Sequence, residues 1–191
     1  MISIIAPTDF KQIPWKNGKG TTTELAINSG GTLQRFTWRL SIASVSENGP
    51  FSDFSGYLRH LILLDGNGIQ LTHNEATIDR LVEPLSMARF SGAAQTVGTL
   101  IDGPITDFNL ITRQDEFSVQ VNTWNTEQVY QSDQLELAFV YSAKANVLLN
   151  TSNQPTVTLP PNHLAIIEQT NSDELQIRGS HVIFISLVKR K

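Results

Sequence analysis

The 191-residue sequence contains no cysteine, so disulfides, thiolate catalysis and cysteine-ligated metals are excluded. Charge is also scarce: Asp, Glu, Lys and Arg make up 17% of the chain, below the usual quarter. Ser, Thr, Asn and Gln fill the polar positions instead, a bias more common on β surfaces than on helices. The formal net charge is -4, and the one dense basic run is Lys189-Arg190-Lys191. Phosphate binding needs a positive stripe, so no nucleic-acid partner is expected.

No apolar run approaches the roughly eighteen residues of a transmembrane helix, and no membrane partner is expected. The start, Met1 to Asp9, lacks the basic lead and apolar stretch of a signal peptide, which predicts a cytoplasmic protein. Neither a phosphate-binding G-x-x-x-x-G-K-[ST] loop nor a G-x-S-x-G elbow occurs. The histidines at 60, 73, 163 and 181 form no H-x-H or H-x-x-x-H pair. No metal and no cofactor are therefore expected.

What is present is a β pattern. Hydrophobic residues make up 40%, enough for one large all-β domain or two fused barrels. Phe36, Trp38, Leu40 and Ile42 alternate with Thr37, Arg39, Ser41 and Ala43, the period-two signature of a strand. Leu135, Leu137, Phe139 and Tyr141 repeat the habit, and Val182 to Val188 reads as a strand buried on both faces. Gly- and Asn-containing turns punctuate these runs, as at Glu47-Asn48-Gly49-Pro50 and Asp65-Gly66-Asn67-Gly68. No helix of three turns is evident.

A weak internal repeat accompanies the alternation. Leu61 to Leu64, a turn and Ile69-Gln70-Leu71 match Phe139 to Tyr141, a turn and Val147-Leu148-Leu149. Ile69 and Val147 lie 78 positions apart, and Leu85 and Leu164, in a second matched pair, lie 79 apart. A near-constant offset predicts two related β lobes. The lobes are placed at 1–115, with the candidate ligand pocket, and 116–191, completing the second lobe.

Four segments could carry chemistry. Trp15 to Glu24 offers Lys16 as a cation, Asn17 as donor and acceptor, and glycines that admit close approach; it reads equally as a hairpin with a solvated lysine. In the Thr37–Ala43 strand, Arg39 and Ser41 share one face, which either lines a cavity suited to a carboxylate or faces water. Gly49 to Arg59 is an aromatic loop whose rings read mainly as packing, ending in Arg59 at the start of an apolar strand. In Asp102 to Arg113, Asp107, Asn109 and Arg113 share a face that could line a site or form a satisfied structural network.

Together these segments resemble the HutD/Ves family. The W-K-N-G-G-G-x-T-x-E motif corresponds to Trp15–Glu24, with Lys19 in place of the middle glycine. F-x-W-R-x-S-x-A corresponds to Phe36–Ala43, G-P-F-S-x-F-x-G to Gly49–Gly56, and D-F-N-x-x-T-R to Asp107–Arg113. The resemblance implies a bicupin: two cupin-like β-barrel lobes of the RmlC-like jelly-roll type in one chain. It also implies a link to bacterial histidine utilisation, with N-formylglutamate as a suggested ligand, and for the Ves branch a link to stress.

The leading expectation is a metal-independent, ligand-binding and regulatory protein, with a homodimer as one possible assembly. Its partner is a small-molecule carboxylate, held by Lys16, Asn17, Glu24, Arg39, Ser41, Arg59, Asp107 and Asn109. The competing readings are a metal-independent isomerase or lyase, with Glu24 or Asp107 as base and Lys16 or Arg39 stabilising an oxyanion, and a protein-binding module with an exposed apolar patch.

Overall fold

The computed structural model describes residues 1–15, 20–132, 136–152, 154–168 and 174–190. Among them the alternating segments form strands throughout, and the only helical turn is a short 3-10 stretch at Pro7–Asp9. The all-β, cupin-type class expected from the sequence is the class observed. The chain divides into two compact units: Phe10–Glu116, and Met1–Asp9 together with Phe117–Lys191.

The first unit pairs a six-stranded with a four-stranded sheet. The larger runs β2 (Lys11–Pro14), β3 (Gly20–Ile27), β4 (Trp38–Val45), β11 (Ile105–Arg113), β6 (Tyr57–Asp65), β9 (Met87–Ser91). The smaller runs β5 (Gly49–Pro50), β10 (Thr96–Leu100), β7 (Ile69–His73), β8 (Thr77–Leu81). All pairings are antiparallel. Leu61 and Leu63 of the larger sheet pack with Ile69, Leu71 and Leu81 of the smaller, so the inward faces meet in an apolar core at one end.

The second unit repeats this plan. One sheet runs β12 (Phe117–Trp124), β19 (Val182–Lys189), β14 (Leu137–Ser142), β17 (Leu164–Glu168), β1 (Ile2–Ile5). The other runs β13 (Gln128–Ser132), β18 (Leu175–Gly179), β15 (Val147–Thr151), β16 (Gln154–Leu159). Strand for strand, β4-β11-β6-β9 corresponds to β12-β19-β14-β17, and β5-β10-β7-β8 to β13-β18-β15-β16. The correspondence extends to one backbone detail. Leu63 and Ser142, at the matching ends of β6 and β14, each exchange hydrogen bonds with the turn before the next core strand. In those turns Leu85 (φ 65°) and Asn162 (φ 62°) both take the left-handed conformation.

One boundary differs from the expectation of a first lobe over 1–115. The first nine residues belong to the second unit, because β1 pairs with β17 over Ile2↔Ile167 to Ile5↔Leu164. No local signal marks this, since an edge strand's partner is set by register with distant residues.

A buried polar cluster inside the first barrel

Cross-strand partners share a face of a sheet, so the ladders fix which side chains meet. One row on the inward face of the larger sheet is Glu24, Ser41, Asn109, Leu61. The next row towards the open end is Arg39, Ile111, Arg59, Phe90. The row on the other side holds Ala43, Asp107 and Leu63. The barrel interior is thus apolar at one end and polar at the other. Six of the eight candidate residues, Glu24, Arg39, Ser41, Arg59, Asp107 and Asn109, come together on this face. Lys16 and Asn17, like Lys19, lie outside the described residues.

The Arg39 face is therefore interior rather than solvent-facing. Strand β4 is covered on both sides, with Arg39 at 5% and Leu40 at 0% exposure. Arg39 Nε donates to Glu24 Oε2 at 2.7 Å, and both side chains are largely withdrawn from water. A β-bulge at Leu25 shifts the β3–β4 register between Glu24 and Ala26, which sets Glu24 opposite Ser41, beside Arg39.

Arg59 is held differently. Its guanidinium carbon lies 5.2 Å from the centroid of Phe51, 5.4 Å from Phe54 and 5.2 Å from Phe90. Nη1 donates to the Ser52 carbonyl at 3.3 Å and Nη2 to Asn109 Oδ1 at 3.0 Å. Three ring faces partly replace the lost hydration of the cation. Gly98 makes room for this cage, because a β-carbon there would stand 2.6 Å from the Phe51 ring. Burial still lowers the Arg59 pKa to about 10, with Asp107 opposing the shift and Arg39 adding to it.

Asn109 joins Arg59 to Asp107, donating its amide N–H to Asp107 Oδ1. Asp107 has no solvent exposure. Burial raises its pKa to about 7, against the pull of Arg59 and the Asn109 hydrogen bond. Asp107 Oδ2 and Arg59 Nε are buried without a hydrogen-bond partner among the described residues. Buried polar atoms are rarely left unpaired, so such atoms mark places where a further group can bind. Arg113, on the same strand face, lies at the rim, with its guanidinium 5.7 Å from the Tyr57 ring centroid.

The open end carries a depression of about 330 Å³, lined by Leu33, Phe36, Asp53, Phe54 and Tyr57 among others. The Phe54 ring serves both this wall and the Arg59 cage. The Gly49–Arg59 aromatics thus pack, as expected, but they pack around a cation of the cluster. A further inward group is His73, whose Nδ1 is 2.9 Å from Thr96 Oγ1 and whose Nε2 is 3.1 Å from Asp79 Oδ2. It stacks on Phe90 at 4.5 Å. The alternation Ile69, Leu71, His73 could have placed it inside; the Phe90 cage had no local signal. Among the described residues, no three His, Asp or Glu side chains gather as a metal site would require.

Among the described residues, the equivalent positions of the second barrel carry no charged side chain. Gln120 and Asn122 stand for Arg39 and Ser41, and Gln120 Nε2 donates to Asn122 Oδ1 at 3.0 Å and to the Tyr130 hydroxyl at 3.1 Å. By ladder position, Ala138 stands for Arg59, Val182 for Asp107 and Phe184 for Asn109. Trp124 stands where the first unit has Ala43, and it stacks on Tyr130 at 5.5 Å, which meets Phe184 at 5.0 Å. Apolar side chains replace Asp107 and Asn109 there, so among the described residues the charged cluster is confined to the first unit.

Comparison with known proteins supplies the remaining context. The HutD family profile matches residues 7–185. An uncharacterized 21.2 kDa protein from the hutC 3′ region of Pseudomonas putida is 35% identical over 147 residues, covering 76% of this chain and 77% of that protein. Protein Ves of Escherichia fergusonii is 33% identical over 117 residues, covering 59% of this chain and 60% of Ves. The structure of HutD from Pseudomonas fluorescens SBW25 superposes with a TM-score of 0.85 at 30% identity, over 100% of both chains.

Proposed function

The chain belongs to the HutD family, and from that premise we propose that it is a binding protein for a small acidic metabolite, with a regulatory role in histidine utilisation. The observation that carries this reading is the arrangement of Arg39 and Arg59 on either side of Ile111 in one inward-facing row. Two strand spacings separate their backbones, about 10 Å. A short dicarboxylate lying over Ile111 meets a guanidinium at each end and an apolar floor between them. Arg59 Nε has no hydrogen-bond partner among the described residues, and Ser41 and Asn109 flank the centre. N-formylglutamate has this form. The related protein encoded beside hutC supports the histidine-utilisation context. Binding without metal fits the donor set described, in which cations and amides face the ligand.

The test is calorimetry with N-formylglutamate, glutamate and urocanate on the wild type and on Arg39→Ala. Removing one charge-assisted contact should weaken binding by roughly 30-fold or more, since such contacts are worth about 2–5 kcal/mol. If the wild type binds none of the three, the reading fails.

One observation favours a second reading. A buried carboxyl with a pKa of about 7 suits a general acid–base in an isomerase or lyase acting on a small carboxylate. Glu24 is the weaker candidate for base, because Arg39 holds its carboxylate in an ion pair. Proton exchange at carbon in deuterated buffer, followed by NMR and abolished in Asp107→Asn, separates catalysis from binding alone.

A further inference from the structure

We infer that this site takes up its anionic ligand together with one proton, which settles on Asp107 Oδ2 and stays there as the donor of a hydrogen bond to the ligand. The inference rests on the binding site proposed above and specifies how that site is regulated.

The geometry argues for it in three steps. Asp107 Oδ1 accepts a hydrogen bond from Asn109, whereas Oδ2 is buried and unpartnered among the described residues. The Asn109 amide is oriented by Arg59 on its Oδ1 side, so it presents its N–H to Asp107 Oδ1 and leaves Oδ2 without a donor among the described residues. The nearest positive charge is largely used, with only its Nε left unbonded among the described residues. Arg59 is shared between three rings, the Ser52 carbonyl and Asn109.

The other charged groups offer little relief. Arg39 on β4 is paired with Glu24 on β3. On the facing sheet, His73 is engaged by Thr96 and Asp79. A dicarboxylate entering this space adds two negative charges to Glu24 and an ionised Asp107, against the two described cations Arg39 and Arg59. Two carboxylates in one low-dielectric site do not both stay ionised, and the pair retains a proton between them. A proton on Oδ2 removes the repulsion and turns an idle acceptor into a donor. Burial has already brought the Asp107 carboxyl to the edge of protonation near neutral pH, with a pKa of about 7, so the added cost of taking the proton is small.

Binding of N-formylglutamate, and of glutarate as a plain dicarboxylate probe, is measured by calorimetry at about pH 8 in phosphate and in Tris. These buffers differ widely in ionisation enthalpy, so the difference in heat counts protons. Uptake approaching one proton per ligand is expected, falling towards zero near pH 6, where Asp107 is already protonated. Affinity should fall by up to about tenfold per pH unit above 7. Asp107→Asn carries a permanent donor in place of the protonated oxygen, so it should bind without proton uptake and without the pH slope. Wild-type binding with equal heats in both buffers at pH 8 overturns the inference and leaves the binding reading standing. No binding of either probe at any pH overturns the inference, and removes the binding reading too if glutamate and urocanate also fail to bind. A protonated-carboxyl infrared band that appears on ligand addition to the wild type at pH 8, and not in Asp107→Asn, identifies the site of the proton directly. Its absence from the wild type contradicts the assignment to Asp107.

Discussion

Asn109 Oδ1 accepts a hydrogen bond from Arg59 Nη2 at 3.0 Å across the β6–β11 ladder, and so fixes which way its own amide faces Asp107. A single neutral side chain thereby orients the carboxyl beside a caged cation.

Removing that link should be costly. Asn109→Ala leaves Asp107 and one Arg59 donor unpaired in the barrel interior. Stranding buried polar groups costs about 1–3 kcal/mol each, so a loss of roughly 2–6 kcal/mol is expected in urea unfolding of the whole chain. Asn109→Leu should be no better, because its side chain satisfies neither neighbour. A loss below about 0.5 kcal/mol, the range of neutral surface changes, would show that the chain of contacts is not energetically linked.

Stability should depend on pH through two buried groups of opposite sense. Asp107 titrates at about 7 rather than 3.8, so the folded state holds the proton that the unfolded chain releases. Its contribution is complete below 3.8 and is lost as pH rises through 7. Asp107→Asn should therefore gain on the wild type between about pH 4 and 8. His60 is held neutral by burial, with Arg89 adding to the effect, and its pKa falls from 6.5 to about 4. Its contribution is full above 6.5 and is lost as pH falls towards 4, so His60→Gln should flatten the acid limb of the profile. Denaturant midpoints across pH for the two variants check both signs.

Gly92 should tolerate no side chain. A β-carbon there would lie 2.1 Å from the Phe54 carbonyl oxygen, and the Phe54 N–H donates to Gly92 O at 2.9 Å. Gly92→Ala must therefore displace the segment that places Phe54 over Arg59. A destabilisation above about 1 kcal/mol is expected, with weakened ligand binding from a residue that makes no contact with ligand. Unchanged thermal stability would contradict this geometry.

The second barrel should be structural. Trp124 packs against Tyr130 and donates its indole N–H to the Gly179 carbonyl at 2.9 Å. Trp124→Ala should destabilise the protein by about 3–5 kcal/mol, as large core truncations do. Binding stoichiometry should stay at one ligand per chain, measured at a temperature where the variant remains folded.

Much of the first unit is legible in the sequence because its pattern is local. The alternation from Phe36 to Ala43 identifies β4, and three of the motif segments fall on β3, β4 and β11, which are neighbours by register. Which face of β4 is interior was not legible, because Leu40 and Arg39 are both buried and alternation distinguishes faces only when one is wet. The Arg59 cage was hidden for another reason. Its rings come from a loop and from β9, and Phe90 reaches Arg59 only through the β6–β9 register. The repeat is legible at Ile69 and Val147, which hold matching ladder positions. The pairing of Leu85 with Leu164 is two residues out, since Leu85 corresponds to Asn162. The connection before that strand is two residues shorter in the second unit relative to the preceding strand, and alternation cannot detect a shift of two.

The proposed ligand position is the interior of the first barrel, with a small acid held between Arg39 and Arg59. A crystal structure of the complex with the tightest-binding acid of the calorimetric panel tests it most directly. The expected result is a ligand over Ile111, with one carboxylate hydrogen-bonded to Arg39 and a second within reach of Arg59 Nε and Asp107 Oδ2. A ligand bound elsewhere, with this interior unchanged, would contradict it.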